Sequence, residues 1–488
     1  MGSFSLSLSR QIRGGRPRLA IAILCLALLA FFLSGCGGCD NDCRGGSTKT
    51  FHSISFYDDY LDFITTLSAE ENPAFDPTTL KTSPTGDWYE ANKSASINAD
   101  LNLSADVRLY PYANVVEIFR EEQLLDINQT SASLGYPYIL FSDMNLTNLI
   151  DIYVSSSEGW YPIADNAFVY FEGIFNGQGH KITNLWIKRP NTDYVGFFGH
   201  VEQGVTIRNL TIELDDSKGG IVGKEYTGGV AGYIYDTTLR NVHLIGDVNG
   251  SDYVGGIAGY NEASYIYNSS SKGDVNGSEN VGGIFGTSVR TSIINSYSAS
   301  DVNGSDYVGG IAGYVMSGSI ENSYSIGNAG AETATAGGIV GMLSIETPGE
   351  HAVISKCYAT GSVKAPDKVG GLVGDADSNT SVINGAALNY AIDGVTDTNR
   401  TVGHKEVSDV NLTNNFVSDA ITDYGDSSDQ GDNEFGWSKD AATLNYAGAA
   451  AANGSGGLGW SFGNGESAPW KWIGGYNYPV LYWQTGAP

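Results

Sequence analysis

Six carboxylates recur at a fixed interval: Asp247, Asp274 and Asp301 form one set and Asp252, Glu279 and Asp306 a second, with 27 residues between successive members. If that interval is one turn of a repeating fold, each set becomes a row of hard oxygen donors, the chemistry that holds Ca²⁺. The same rows also describe a solvated acidic face. Two unit charges about 4.8 Å apart in water repel by only roughly 0.9 kcal/mol, which a surface turn tolerates without a metal. The solvated face is the expected reading, so Ca²⁺ is the alternative and no cofactor is expected.

A second chemistry is written in asparagine. Thirteen Asn fit N-x-S/T with no Pro between, and ten of these carry an acid two residues earlier: Asn92, Asn102, Asn128, Asn145, Asn249, Asn276, Asn303, Asn379, Asn399 and Asn411. The tripeptide is an N-glycan acceptor in secreted proteins. Abundant Asp and Asn in turns explain part of the excess, but not the fixed offset of the acid. The extended form resembles the acceptor of the bacterial oligosaccharyltransferases, which implies glycosylation.

Signals for catalysis are poor. Neither G-x-S-x-G nor H-E-x-x-H occurs, and His52, His180, His200, His243, His351 and His404 show no ligand spacing. Ser269–Lys272 reads SSSK, a formal S-x-x-K, yet it occupies the slot that reads NSYS elsewhere and is taken as repeat filler. Glycosidic cleavage needs one preorganised carboxylate pair, which a repeating row does not supply. No enzyme is therefore expected; a carbohydrate-active lyase or hydrolase is the alternative, and a passive structural glycoprotein a third.

The element that positions these residues is a repeat. DVNGSDYVGGIAGY at 247–260 returns as DVNGSENVGGIFGT at 274–287 and again as DVNGSDYVGGIAGY at 301–314. Such a period marks a solenoid whose coils bury their apolar faces only by stacking. Short runs holding Val254, Ile257, Ile266 and Val275 alternate with Gly, Asn, Asp and Ser, which is strand and turn chemistry. The expected fold is all-β, a right-handed parallel β-helix of about 27 residues per coil. Aligned Gly196, Gly229, Gly256, Gly283, Gly310, Gly338 and Gly371 are spaced 33, 27, 27, 27, 28 and 33, which places insertions near 215–220 and 343–351. Loops that leave a regular stack are where binding concentrates. Gly256, Gly283 and Gly310 are expected to form a column where no side chain fits, and Asn268, Asn295 and Asn322 an amide ladder. With Val248, Val275 and Val302 inward, Asp247 and Asn249 and their repeats point outward.

The blocks VGGIAG, SIENSYS and DVNG resemble the GLUG-motif repeat proteins, a family of adhesin-like bacterial surface lipoproteins. FEGIFNGQGHKITNLWI at 171–187 matches that family's first coil, GWYPI at 159–163 its entry segment, and 402–416 its degenerate last coil. The aromatic-rich segment 460–484 resembles its end cap. His180 falls in the family's GxGH slot, which implies a structural role.

The whole chain of 488 residues carries 26 Lys and Arg against 54 Asp and Glu, a net charge of −28. That deficit of base argues against nucleic acid or an anionic membrane surface as partner. Arg10, Arg13, Arg16 and Arg18 precede the apolar run 19–33, a pattern that fits an export signal. Leu33-Ser34-Gly35-Cys36 resembles the bacterial lipobox, which implies acylation of Cys36; the following Gly37 implies sorting to the outer membrane. Cys39 and Cys43 are left open between a local disulfide and free thiols, and Cys357 is expected in the core. The expected organisation is a signal over 1–35, a tether over 36–50, an N-terminal cap over 51–170, repeats over 171–418 and a C-terminal cap over 419–488. The expected product is a surface-exposed, lipid-anchored outer-membrane protein that binds a host, matrix or glycan ligand.

Replacing the acylated residue tests the anchor. Cys36→Ser is expected to yield unprocessed or soluble protein that leaves the detergent phase, because acyl chains supply the membrane affinity. Unchanged detergent partitioning would contradict the assignment.

Overall fold

The computed structural model describes residues 51–57, 61–70, 74–75, 88–93, 101–102, 107–155, 157–389, 391–394, 398–399, 401–405, 410–413, 415–418, 437–439, 460–463, 465–471 and 479–484. The signal, the tether and Cys36 lie outside them. The chain divides into two compact units, Met1–Glu117 and Ile118–Pro488, and the division falls inside the expected N-terminal cap.

The first unit is built on a sheet of four strands in the order Phe63–Glu70, Phe51–Tyr57, Val107–Tyr110, Tyr89–Glu90. Ile54, Phe56, Leu109 and Tyr110 are buried in it with Trp88. Phe56 meets the Trp88 ring edge-on at 5.4 Å. Tyr110 donates from its hydroxyl to Glu117 Oε1 at 2.6 Å.

The second unit is a parallel β-solenoid of about 8 turns. One coil runs through Phe285–Ile294, Tyr297–Gly304 and Asp306–Gly309, and the next begins at Ala312. Successive coils pair in parallel and in register: Val248 with Val275, Val275 with Val302, Val254 with Val281, Val281 with Val308. The 27-residue period is thus the length of one turn. The glycine-rich strands Thr227–Gly228, Val254–Gly255, Glu279–Gly282, Asp306–Gly309, Ala336–Gly337, Val369–Gly370 and Thr398–Asn399 make a separate seven-stranded sheet along one side.

Three corners turn each coil, and each uses a residue in the left-handed region. The first corner holds Asn209, Asn241, Asn268, Asn295, Asn322, Lys356 and Asn384, with φ between 50° and 57°. The second holds Tyr194, Tyr226, Tyr253, Asn280 and Tyr307; the third Gln203, Asp236, Ala263, Arg290, Ser317 and Asn379. Asn tolerates this conformation through local hydrogen bonds, whereas a bulky Tyr there is strained. The strain is offset by ring stacking between coils: Tyr194 on Tyr226 at 5.0 Å and Tyr226 on Tyr253 at 4.9 Å.

Inside the corners, like sits on like. Ile257, Ile284, Ile311, Ile339 and Leu372 form one buried row; Ile266, Ile293, Ile320, Ile354 and Val382 form another. Each such side chain contributes roughly 1.5–3 kcal/mol of burial. The glycine column has the expected cause. A Cβ on Gly283 would overlap the Gly310 carbonyl oxygen and the Ser298 hydroxyl, and one on Gly256 the Gly283 carbonyl.

Two features differ from the sequence reading. The amide ladder on Asn268, Asn295 and Asn322 does not form; the side-chain oxygens of Asn268 and Asn295 meet no donor among the described residues. Asn268 Nδ2 instead donates downward to Asn241 Oδ1 at 3.2 Å, Asn241 to Asn209 at 2.8 Å, and Asn209 to Asn176 at 3.2 Å. The described residues of 460–484, a segment expected to close the end of the stack, lie along its side. Trp460 Nε1 donates to the Asn384 carbonyl at 2.9 Å, Tyr358 to the Pro479 carbonyl at 2.8 Å, and Trp483 Nε1 to the Asn295 carbonyl at 3.0 Å. Asn268 Nδ2 reaches Tyr482, and Arg240 pairs with Glu466. The attraction is a stacked row of Tyr297, Tyr324 and Tyr358, against which Trp460, Trp470 and Leu481 bury. In that row Ser270 lacks a ring between His243 and Tyr297, and the Trp483 indole fills the gap, 5.1 Å from one and 5.5 Å from the other.

Gly283→Val is expected to destabilise by ~3 kcal/mol or more, since the clash is with backbone, while the half-buried Ser278→Ala stays within about 0.5 kcal/mol. Equal melting temperatures for the two variants would refute the close-approach argument.

Candidate functional site

The outward rows of the solenoid hold the residues singled out by their chemistry. Strand alternation places Asp247, Asp274 and Asp301 outside the buried Val248, Val275 and Val302. Their carboxylates serve the stack itself. Asp247 Oδ1 accepts the Asp274 backbone N–H at 2.8 Å, and Asp301 Oδ1 accepts that of Asn328 at 2.8 Å. The insertion at 215–220 extends the row, because Asp216 Oδ1 accepts the Asp247 N–H at 2.9 Å. Partial desolvation, then the charges of Asp247, Asp301 and Asp216, push the Asp274 carboxyl above the usual carboxylate range.

The second row behaves alike. Asp252 Oδ1 accepts the Glu279 N–H at 3.3 Å and Asp306 Oδ1 that of Thr335 at 2.9 Å. The row continues to Glu225 and Asp193, where Lys224 bridges both carboxylates at 3.0 Å and 3.3 Å. Among the described residues no group of three or more His, Cys, Asp or Glu gathers as a metal would require. These carboxylates stand one per coil, and Asp247, Asp301, Asp252 and Asp306 each turn toward a backbone donor.

Beside the second row stands a feature the sequence reading passed over. Tyr194, Tyr226 and Tyr253 form one half-buried file at the corner, and His200, Tyr233 and Tyr260 a second file on the adjoining strand. Tyr233 stacks on Tyr260 at 5.1 Å, while Tyr253 meets Tyr260 edge-on at 5.9 Å. Burial raises the phenol pKa values in both files and lowers that of His200. The signal was visible in the Tyr of DYVGGIAGY at 253 and 260, and in their loss at Asn280 and Thr287 of the middle copy.

The sequons fall into distinct environments. Asn249, Asn276 and Asn303 stack in register and form a ladder of their own: Asn303 Nδ2 donates to Asn276 Oδ1 at 3.2 Å, and Asn276 Nδ2 to Asn249 Oδ1 at 3.0 Å. Asn128 pins a turn, accepting from Ala164 N at 3.0 Å and donating to the Pro162 carbonyl at 3.1 Å. Asn379 is exposed at a third corner, and Asn145 and Asn411 are exposed on strands. Asn92 is exposed in the first unit with φ 57°, and Asn102 and Asn399 lie in short strands.

The remaining candidates are structural. Ser269, Ser270 and Ser271 are buried in the stack while Lys272 is exposed, so SSSK brings no Ser to the Lys. His180 bonds Asp143 Oδ1 at 3.0 Å. Cys357 is buried, its thiol 3.2 Å from the Ser355 carbonyl, and burial pushes its pKa up to about 12. The insertion near 343–351 is clasped to the third corner, with Arg290 paired to Glu262 and Glu346 and Ser317 Oγ donating to Glu350 at 2.5 Å.

A family model for the GLUG motif matches residues 250–276, so the chain is a repeat protein that carries this motif. It is 40% identical over 81 residues to a putative Gly-rich membrane protein of Evansella cellulosilytica, which covers 17% of this chain and 9% of that one. It is 32% identical over 137 residues to halomucin of Haloquadratum walsbyi, covering 27% of this chain and 1% of that one.

Because the Asp274 carboxyl is raised in the fold, its charged form is disfavoured there, and its contribution to stability falls as pH rises through its folded pKa. Asp274→Asn is therefore expected to raise the melting temperature at neutral pH. The gain should shrink toward about pH 3, where the Asp274 carboxyl of the parent is protonated in both its folded and its unfolded states. A gain that persists unchanged at the acid end would refute the repulsion.

Proposed function

We propose that this protein is a surface-displayed lipoprotein of the bacterial outer membrane, tethered through acylated Cys36. Its solenoid presents a binding or adhesive face, and some of its sequons carry N-linked glycans. The observation that carries the reading is the paired Tyr files, Tyr226 with Tyr253 and Tyr233 with Tyr260, bordered by Asp252 and Glu279 on consecutive coils. Phenols and carboxylates repeated every ~4.8 Å suit a repetitive, polyhydroxylated or matrix ligand. Such contacts add through multivalency rather than through one deep pocket. The likeness to a Gly-rich membrane protein supports a membrane-associated setting.

The test is to screen purified protein on glycan and extracellular-matrix arrays beside a Tyr233→Ser, Tyr260→Ser variant. A specific hit that weakens roughly tenfold in the variant is the expected result. Cleavage of the ligand would make the protein an enzyme instead. Silence on every array would leave only passive surface display.

A further inference from the structure

We propose that Asn145 and Asn411 are the N-glycan acceptors of the stack, and that their glycans shield its two end strands. The proposal rests on reading the sequons as modification sites. Both residues sit in the same pentapeptide pattern, Asp143-Met144-Asn145-Leu146-Thr147 and Asp409-Val410-Asn411-Leu412-Thr413. Met144 and Leu146, like Val410 and Leu412, are buried, which turns the Asn between them outward and leaves it exposed.

In both, the sequon's own threonine fixes the amide. Thr147 Oγ1 donates to Asn145 Oδ1 at 2.9 Å and Thr413 Oγ1 to Asn411 Oδ1 at 2.5 Å. Asn145 Oδ1 also accepts from Thr147 N at 3.1 Å and Asn184 Nδ2 at 3.0 Å. Among the described residues the bonds that hold these two amides thus all fall on oxygen, and Nδ2, the atom that takes the sugar, donates to none of them. Asn128, Asn276 and Asn303 are the reverse, since each Nδ2 donates into the structure. Asn249 Nδ2 likewise donates into the structure, to the Ile221 carbonyl at 3.5 Å, while its oxygen receives Asn276.

Position separates them again. Met144–Asn145 pairs only with Ile182–Thr183, and Asn411–Thr413 only with Ser381–Ile383 among the described residues. Among the described residues these two strands are the outermost of their own face of the stack; Trp437–Lys439 adds a further strand only on the neighbouring face, beside Phe416–Ser418. Asn276 is flanked on both sides, by Asn249 and Asn303. Asn379 is exposed, but its sequon partner Ser381 is held between Val353 and Asn411.

In the transfer step, Nδ2 attacks the anomeric carbon of an oligosaccharide carried on a lipid pyrophosphate. The N–C bond forms as the C–O bond breaks, the lipid pyrophosphate leaves with the electron pair, and a proton leaves Nδ2 for a base on the transferase. A glycan placed there stands beside an edge strand that would otherwise accept a strand from another chain.

The test is expression of the full chain with an oligosaccharyltransferase, its lipid-linked donor and a control acceptor protein, followed by glycopeptide mass spectrometry. Occupancy is expected at Asn145 and Asn411 and roughly tenfold lower at Asn128, Asn249, Asn276 and Asn303, whose amides are engaged. The double variant Asn145→Gln, Asn411→Gln should lose most of the glycan mass and shift light scattering toward larger species. Comparable occupancy at the four engaged sites would overturn the siting alone. Glycosylation of the control with none on this chain would overturn the glycoprotein reading itself. Occupied parent and variant that scatter identically would overturn the shielding role.

Discussion

In-register parallel pairing of successive coils is the constraint on which this molecule depends. Backbone N–H groups of one coil find carbonyls on its neighbours, as when Ile257 donates to Ile284 and Ile284 to Ile311. Once those bonds are made, every side chain sits about 4.8 Å from its counterpart, whether or not the two attract. Isoleucine on isoleucine and tyrosine on tyrosine gain from this. Aspartate on aspartate does not, and the fold accommodates it by turning Asp247 and Asp301 toward neighbouring backbone donors while the Asp274 carboxyl is held above its usual range. The acidic rows are a by-product of repetition made tolerable by local hydrogen bonding.

The same constraint explains where side chains are forbidden. At Gly256, Gly283 and Gly310 the backbone of the next coil comes so close that a Cβ has no room. These glycines are not in the left-handed region; packing alone requires them. The left-handed positions are elsewhere, and the chain fills them with Asn at one corner and with stacked Tyr at another.

Much of this was legible in the sequence because a period states which residues lie above one another. The valine rows, the glycine column and the buried Cys357 follow from the 27-residue step and from the apolar or small character of the residues that recur. The period says nothing about which atoms of two stacked amides meet. That is why the ladder expected at Asn268, Asn295 and Asn322 runs instead from Asn268 down to Asn176, and a second one joins Asn249, Asn276 and Asn303. Nor does it reach contacts that do not repeat. Arg240 and Glu466 are joined across 226 positions, and Trp483 fills a vacancy at Ser270; no local spacing announces either. Asn128 carries the same sequon as its fellows, and only the turn at Pro162 and Ala164 shows that its amide is already in use.

Solenoids ordinarily gain and lose coils with little penalty, since each coil touches only its neighbours. The lateral segment removes that freedom here. It is fastened to Asn384 at one point, to Asn295 at another and to Asn268 at a third, each separated from the next by a fixed number of coil rises. Duplication or deletion of one 27-residue unit between those points would put every later fastening out of step with its ring or carbonyl. The aromatic strap thus acts as a ruler, holding the number of repeats constant in a sequence whose near-identical copies invite recombination.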